Sequence, residues 1–350
     1  PPMGGTLLHA STPTLPALFS LAERGLASGA EFLMAYAVGF EAGVRSGRTA
    51  PGHHKGGWHL TGTLGSIAAA VAAGKLLGLD AQRLTYAMAI AATQSAGMQQ
   101  NRGTMCKSFH AGKAASSGVL AALLAEGGFD GSLEIIEGKR GYCRIYSDAA
   151  SPDELVQNLG TGWEIERNGH KPYASGVVQH PAIDAVIAIR SQGGVDPTRI
   201  EAIALRVNPL VISVTGVETP DTGLQSKFSI YHSAAVAWID GAARIPQYMD
   251  ERAGDPAVVA LRQKIKVTTD PSLRSDQAEA VATVAGVRHR TFVEHAGGTA
   301  DNPMSDAEIE AKFLANAEPV IGPDRARRVR DLVQRLDRVA DVRELSQLCA

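Results

Sequence analysis

The sequence predicts a mainly α protein. A discontinuous all-helical domain, residues 1–160 with 303–350, is interrupted by a smaller α+β domain, residues 161–302. Three observations predict it. Residues 13–126 place apolar side chains at helical spacing, with Ala and Gly on several faces. Near residue 161 the pattern changes to short runs, several of which alternate apolar and polar residues. After Asn302-Pro303-Met304-Ser305 helical spacing returns.

Pro16-Ala17-Leu18-Phe19-Ser20-Leu21-Ala22-Glu23 reads as a helix start with proline near the first turn. Ala30 to Val44 carries Phe32, Leu33, Tyr36, Ala37 and Phe40 on a helical period. Leu64 to Leu77, Asp80 to Ser95 and Ala111 to Ala125 follow as helices. In the middle region Trp163 to Arg167 is short and alternating. Val178 to Ile189 and Ser229 to Ile239 are helical, and Arg199 to Val207 reads as a strand. Lys264 to Thr269 and Ala278 to Val293 return to alternation, as a hairpin or a long bent strand. Ser305 with Glu308 three residues on forms a capping box for the next helix. Ala326 to Leu336 forms another helix.

Composition narrows the function classes. The chain has 350 residues, net charge −2, 45% hydrophobic and 5% aromatic residues. That supports a sizeable core and argues against a nucleic-acid partner, which needs a basic face. Cys106, Cys143 and Cys349 form no close pair and match neither a disulfide framework nor a zinc ribbon, which points to a reducing, cytoplasmic setting. The stretch Leu64 to Leu79 is broken by Lys75 and followed by Asp80. It is short and rich in Ala and Gly, so a buried helix fits better than a membrane span.

Two runs carry chemistry. Met105-Cys106-Lys107-Ser108-Phe109-His110-Ala111-Gly112 sets a lysine and a histidine three residues apart, on one helix face, ahead of small residues. Gly57-Trp58-His59-Leu60-Thr61-Gly62-Thr63-Leu64-Gly65 likewise ends a polar stretch and opens an apolar helix. Cations delivered from helix starts suit an anion site. The plain alternatives are a solvated helix end for Lys107 and a capped helix with a hydrogen-bonded histidine for His59. His9 before Ala10-Ser11-Thr12-Pro13, and Lys171 in Gly169-His170-Lys171-Pro172-Tyr173, would pass alone for surface residues. Lys227-Phe228-Ser229-Ile230-Tyr231-His232 heads an alanine-rich helix, where Tyr231 and His232 diverge by about 100°. His53-His54 and His59 lack the i, i+4 pair and nearby carboxylate of a metal site. No phosphate loop, dinucleotide fingerprint or Gly-x-Ser-x-Gly elbow occurs.

Taken together in order, these blocks resemble the MmgE/PrpD family. They are His9 to Ala17, Gly57 to Gly65, Gly103 to Gly112, Lys171-Pro172-Tyr173 with His180 to Ala185, Lys227-Phe228-Ser229 before Asp240-Gly241, and Asn302 to Ser305 before Lys312-Phe313. The resemblance runs over essentially the whole chain. It implies a helical domain built from both chain ends plus an α+β lid, with no cofactor and no metal, as a homodimer. It implies a small di- or tricarboxylate as substrate, and neither a membrane nor nucleic acid as partner. Family activities include dehydration of 2-methylcitrate, decarboxylation of cis-aconitate and epimerisation of iminodisuccinate.

By resemblance His9, His59, Lys107 and Lys171 match the family's catalytic cleft. Thr61, His110, Lys227, Tyr231 and His232 are assigned to substrate binding, although His232 stands where the family often has tyrosine. The family also carries a segment before the His9 block that ends in an aspartate-rich stretch, and this chain begins just after it. A histidine base, His59 or His9, would remove a proton α to a carboxylate while lysines stabilise the resulting charge. Dehydration is expected first, with epimerisation, decarboxylation, or a non-catalytic binding role as alternatives.

Overall fold

The computed structural model describes residues 8–25 and 27–350; the opening Pro1-Pro2-Met3 lies outside them. The helices are α1 (Ser11–Ala22), α2 (Gly29–Arg48), α3 (Leu60–Leu76), α4 (Ala81–Ala92), α5 (Met105–Glu126), α6 (Tyr142–Tyr146), α7 (His180–Arg190) and α8 (Pro209–Thr215). There follow α9 (Gly223–Ser226), α10 (Ile230–Asp240), α11 (Asp250–Ala253), α12 (Pro256–Arg262), α13 (Asp306–Ile321), α14 (Pro323–Val333) and α15 (Arg343–Cys349). Four strands, β1 (Ile200–Val207), β2 (Ile265–Thr269), β3 (Ala278–Val284) and β4 (Val287–Val293), form one sheet. The fold is mainly α with an α+β part. No described helix is long and apolar enough to cross a membrane.

The chain divides into two compact units. Of the described residues, one holds those from 8 to 168 together with 313–350, and the other holds residues 169–312. The sequence reading sets its boundaries at 160/161 and 302/303, and the attachment of the stretch up to residue 168 to the helical unit has a clear physical cause. Trp163 to Arg167 is not a strand: Glu164–Arg167 forms a 3-10 turn. That turn is tied to α2 by buried charges. The Glu164 amide donates to Glu41 Oε2 at 2.7 Å, and Glu164 Oε1 pairs with Arg48 at 2.5 Å. Arg48 also holds Glu154, while Arg45 pairs with Glu41 at 2.6 Å and donates to the Gln157 carbonyl at 2.7 Å. Each buried charge has a partner, the condition under which such burial is tolerated.

In the helical unit α3 lies at the centre, with every residue from Leu60 to Gly74 buried. Such a helix has no polar face, which is why its sequence shows little amphipathic period. Its Ala and Gly residues let neighbours come close. A Cβ at Gly118 of α5 would meet Ala69 Cβ and lie 2.6 Å from the Ala70 amide nitrogen. Helices α1 and α2 share a core with the C-terminal segment, in which Leu18, Phe32, Leu332, Leu336 and Val342 are buried together. The Gly29 amide donates to the Val339 carbonyl at 2.8 Å, and the Val342 amide to Ala27 at 2.9 Å.

Helix ends differ from the sequence reading where polar residues occupy a first turn. Helix α3 starts at Leu60 rather than Leu64, and α5 at Met105 rather than Ala111. Helix α1 starts at Ser11, so Pro16 lies inside it. The capping box of Ser305 and Glu308 is present, and α2 has another from Ser28 and Glu31.

In the α+β unit the strand order is β2-β1-β3-β4, with β1–β2 parallel and the other two pairs antiparallel. Residues 278–293 form a hairpin, not a bent strand, because Ala285 and Gly286 both take positive φ, 52° and 79°. That is the backbone a two-residue hairpin loop demands. Ile183, Ile189, Ile203, Leu205, Ile230 and Trp238, from α7, β1 and α10, fill the core.

Gly118→Val is expected to lower the unfolding free energy by about 3 kcal/mol, because backbone blocks the added atoms. Urea unfolding reads this as an earlier midpoint at unchanged slope; an unmoved midpoint contradicts the close α3–α5 approach.

Candidate functional site

Three helix starts in the helical unit bring their polar residues together. His59 is the residue before α3; its carbonyl accepts from the Gly62 amide and its own amide donates to the Gly97 carbonyl at 3.1 Å. Thr61, in the first turn of α3, is buried, and its Oγ1 lies 2.8 Å from His9 Nδ1. His9 precedes α1 and its ring stands 6.4 Å from that of His59. From the first turns of α5, His110 points inward, 8% exposed, with its Nδ1 2.9 Å from His59 Nδ1. Lys107, one turn earlier, is partly buried.

The electrostatics are one-sided. His59 is pushed down to about 3 by burial first, then by the charges of Lys107, His110, Arg102 and His54. Burial, then Arg102, lowers Lys107; burial, then Lys107, lowers His110. His59 is therefore a neutral imidazole at any ordinary pH, set among basic groups. Helix N-termini add their own partial positive charge at the same place. The arrangement suits an anion with several negative charges.

Arg102 is a member of this cluster that the sequence reading missed, and His54 is one that it weighed only as a metal ligand. Arg102 lies 3.2 Å from His54 Nε2 and bonds Gln99, whose amide also donates to the Trp58 carbonyl at 2.9 Å. Gly56, Gly57, Trp58, Met98, Gln99 and Arg102 line a pocket of about 520 Å³. An arginine directly before Gly103 and the start of α5 was the available signal. Among the described residues no three His, Cys, Asp or Glu side chains are placed to hold a metal ion.

The remaining sequence-predicted residues belong to the α+β unit. Lys171 is partly buried. Its run is held by the Tyr173 hydroxyl donating to Asp184 and by the His170 amide donating to Gly298 at 2.8 Å. Burial, then Lys171, pushes the neighbouring His180 down to about 3. Lys227 follows the short α9, and its carbonyl accepts from the Gly176 amide and the Gln179 side chain. Tyr231 is partly buried against the unit's core. His232 is wholly buried and donates from Nε2 to the Gln247 carbonyl at 2.7 Å. The assignment of His232 to substrate contact is corrected on that ground. It is a core histidine bonded to the 245–248 turn; α10 turns it wholly inward while the neighbouring Tyr231 stays partly buried at the core's edge.

The MmgE/PrpD N-terminal domain profile matches residues 5–155, and the C-terminal domain profile matches residues 173–338. The chain belongs to the MmgE/PrpD family. Relatives include a cis-aconitate decarboxylase of Aspergillus terreus, 29% identical over 97% of this chain and 76% of the relative. The cis-aconitate decarboxylases of Mus musculus and Homo sapiens are each 26% identical over 97% of this chain, covering 73% and 74% of those proteins. Within this MmgE/PrpD chain, His9, His59, Thr61, Lys107 and His110 all fall inside the N-terminal match, and Lys227, Tyr231 and His232 inside the C-terminal one. Lys171 lies between the two.

Buried histidines make stability depend on pH. His53 is 2% exposed, with both ring nitrogens unpartnered among Trp58, Tyr142 and Tyr146. Burial, then His54, pushes it down to about 4. Its folded pKa lies below the unfolded value of 6.5, so below that pH the unfolded chain binds the proton first. The contribution is complete above pH 6.5 and is lost as pH falls towards 4. His53→Phe is expected to flatten the acid-side fall in unfolding free energy by up to about 1.4 kcal/mol per pH unit across that window. Urea melts from pH 7 to 4 measure it; an unchanged slope means His53 does not titrate this way.

Proposed function

We propose that this protein is a lyase acting on a small tricarboxylate, with His59 exchanging the proton α to a carboxylate. The observation that carries the reading is the gathering of His9, His59, Thr61, Lys107, Arg102 and His110 at three helix starts, where the groups that shift His59 are all basic. Neutral His59 is the form that takes a proton. Lys107 and Arg102 are proposed to supply the fixed positive charge that lowers the energy of the enolate-like anion. Lys107 acts as a point charge and Arg102 as a planar fork matched to a carboxylate. Lys171 is proposed as a further carboxylate-holding cation on its sequence context alone.

From that anion, loss of a β-hydroxyl gives a dehydratase and return of the proton to the other face an epimerase; a decarboxylase reaches the same kind of anion by losing CO2, whose C–C electron pair stays on the substrate, and a proton is then delivered to carbon. Decarboxylation of a cis-aconitate-like substrate is favoured over the dehydration that the sequence resemblance puts first, because several relatives are named for it. The chemistry is proposed to need no cofactor.

The test is proton NMR in deuterated buffer with cis-aconitate, 2-methylcitrate and iminodisuccinate offered separately. Deuterium entering at an α-carbon with one of them, together with turnover, supports the reading; no exchange and no turnover with any of the three overturns it. Lys107→Ala is expected to lower kcat/KM by about 10²–10³-fold while the fold persists. A folded variant within about threefold of the parent removes Lys107 from the site. Turnover is also expected to survive EDTA, and loss with recovery on adding one metal would overturn the cofactor-free mechanism.

A further inference from the structure

The Nδ1–Nδ1 contact between His59 and His110 has no role in the reaction as described. At 2.9 Å one proton lies between the two nitrogens, so one ring donates and the other accepts. The opposite nitrogen of His59, Nε2, is buried without a partner. If it carried the proton it would be an orphaned buried N–H. An unpaired donor is the rarer and costlier case, whereas an acceptor lone pair left open is better tolerated. The neutral ring of His59 therefore keeps its proton on Nδ1, directed at His110. His110 then holds its own proton on Nε2, on a ring that lines a cavity of about 240 Å³ with Ser66, Gln94 and Asn101.

Two glycines stand close to the His110 side chain, Gly97 at its ring and Gly62 at its Cβ. Gly97 has φ +136°, and a Cβ there would lie 3.3 Å from His110 Nδ1. A Cβ at Gly62 would meet the Ala96 carbonyl and stand 3.3 Å from His110 Cβ. The charged and titratable groups that act on the pair are Lys107 from α5, and Arg102 and His54 from the loops before α5 and α3.

We propose that His110 is a positioning residue, not a substrate contact: it accepts the Nδ1 proton of His59, and so fixes the tautomer that leaves His59 Nε2 as the reacting base atom. This rests on the reading of His59 as the base, but its direct test does not require turnover. Protein labelled with ring-¹⁵N histidine is examined at pH 7 by long-range ¹H–¹⁵N correlation, with His59 assigned from the loss of its signals in His59→Gln. The expected result is a neutral His59 protonated on Nδ1. Protonation on Nε2 in the parent overturns the proposal whether or not any variant folds and whether or not a substrate is known.

His110→Phe is expected to move His59 to the Nε2–H form. With the substrate identified above, kcat should fall by about 10²-fold while KM changes by less than about threefold. His110→Asn, whose amide oxygen can accept the same proton, should restore the Nδ1–H form and recover about tenfold of that loss. Retention of the parent tautomer and kcat in folded His110→Phe overturns the proposal. If no substrate turns over while the Nδ1–H tautomer is present and lost in His110→Phe, the pairing stands and the proposed function fails.

Discussion

The burial of α3 on every side is the constraint from which the rest of the helical unit follows. A central helix must be apolar all round, and here it is apolar mostly through Ala and Gly. Small side chains bury little area each, so cohesion comes from close approach and the many weak contacts that approach allows. Gly39 of α2 and Gly118 of α5 both press against the Ala68–Ala72 stretch, where an added Cβ would meet backbone. Because α3 cannot shift without clashes on several sides, its first turn is a fixed platform. His59 and Thr61 take their positions from it, and His9 and His110 take theirs from His59 and Thr61.

The same packing that fixes the site also takes much of it out of water, burying Thr61 and His110 and partly burying His59, Arg102 and Lys107. Burial is the first cause of the depressed pKa of His59, Lys107 and His110 alike, ahead of any neighbouring charge. Desolvation and mutual repulsion act in the same direction on basic groups. The cluster is held together by surrounding structure, since its own charges oppose it. The ion network of Glu41, Arg45, Arg48, Glu154 and Glu164 is the opposite case: there each buried charge meets its counterpart, and the result is an anchor for the 152–167 segment.

Much of this was legible in the sequence, and what was not has physical reasons. The fold class followed from period: helical spacing on both flanks and alternation in Arg199–Val207 and Ala278–Val293. The Ser305–Glu308 capping box lies where its spacing put it. Helix starts were misplaced at α3 and α5 because residues that look like loop, such as Leu60 to Thr63 and Met105 to His110, are helical first turns with functional-type side chains. Glu164 read as part of an alternating run because nothing local announces a partner as distant in sequence as Arg48. His232 was placed at the site because its neighbours Lys227 and Tyr231 sit in a suggestive run, yet a single step of helical rotation carries it into the core. Arg102 was overlooked since an arginine in a polar loop looks like any solvated one. Only folding sets it beside His54 and within electrostatic reach of His59.

The crowding of basic groups around His59 has a thermodynamic corollary. Burial and neighbouring cations lower the affinity of these groups for protons. The polyanion of the proposed function would supply negative charge to the same low-dielectric space and reverse the second of those effects, so that their affinity for protons would rise. Anion capture and proton uptake are then a single linked event. The heat released on binding depends on the ionisation enthalpy of the buffer that donates the protons. Affinity tightens as the medium becomes more acidic, until the ligand's own carboxylates begin to protonate.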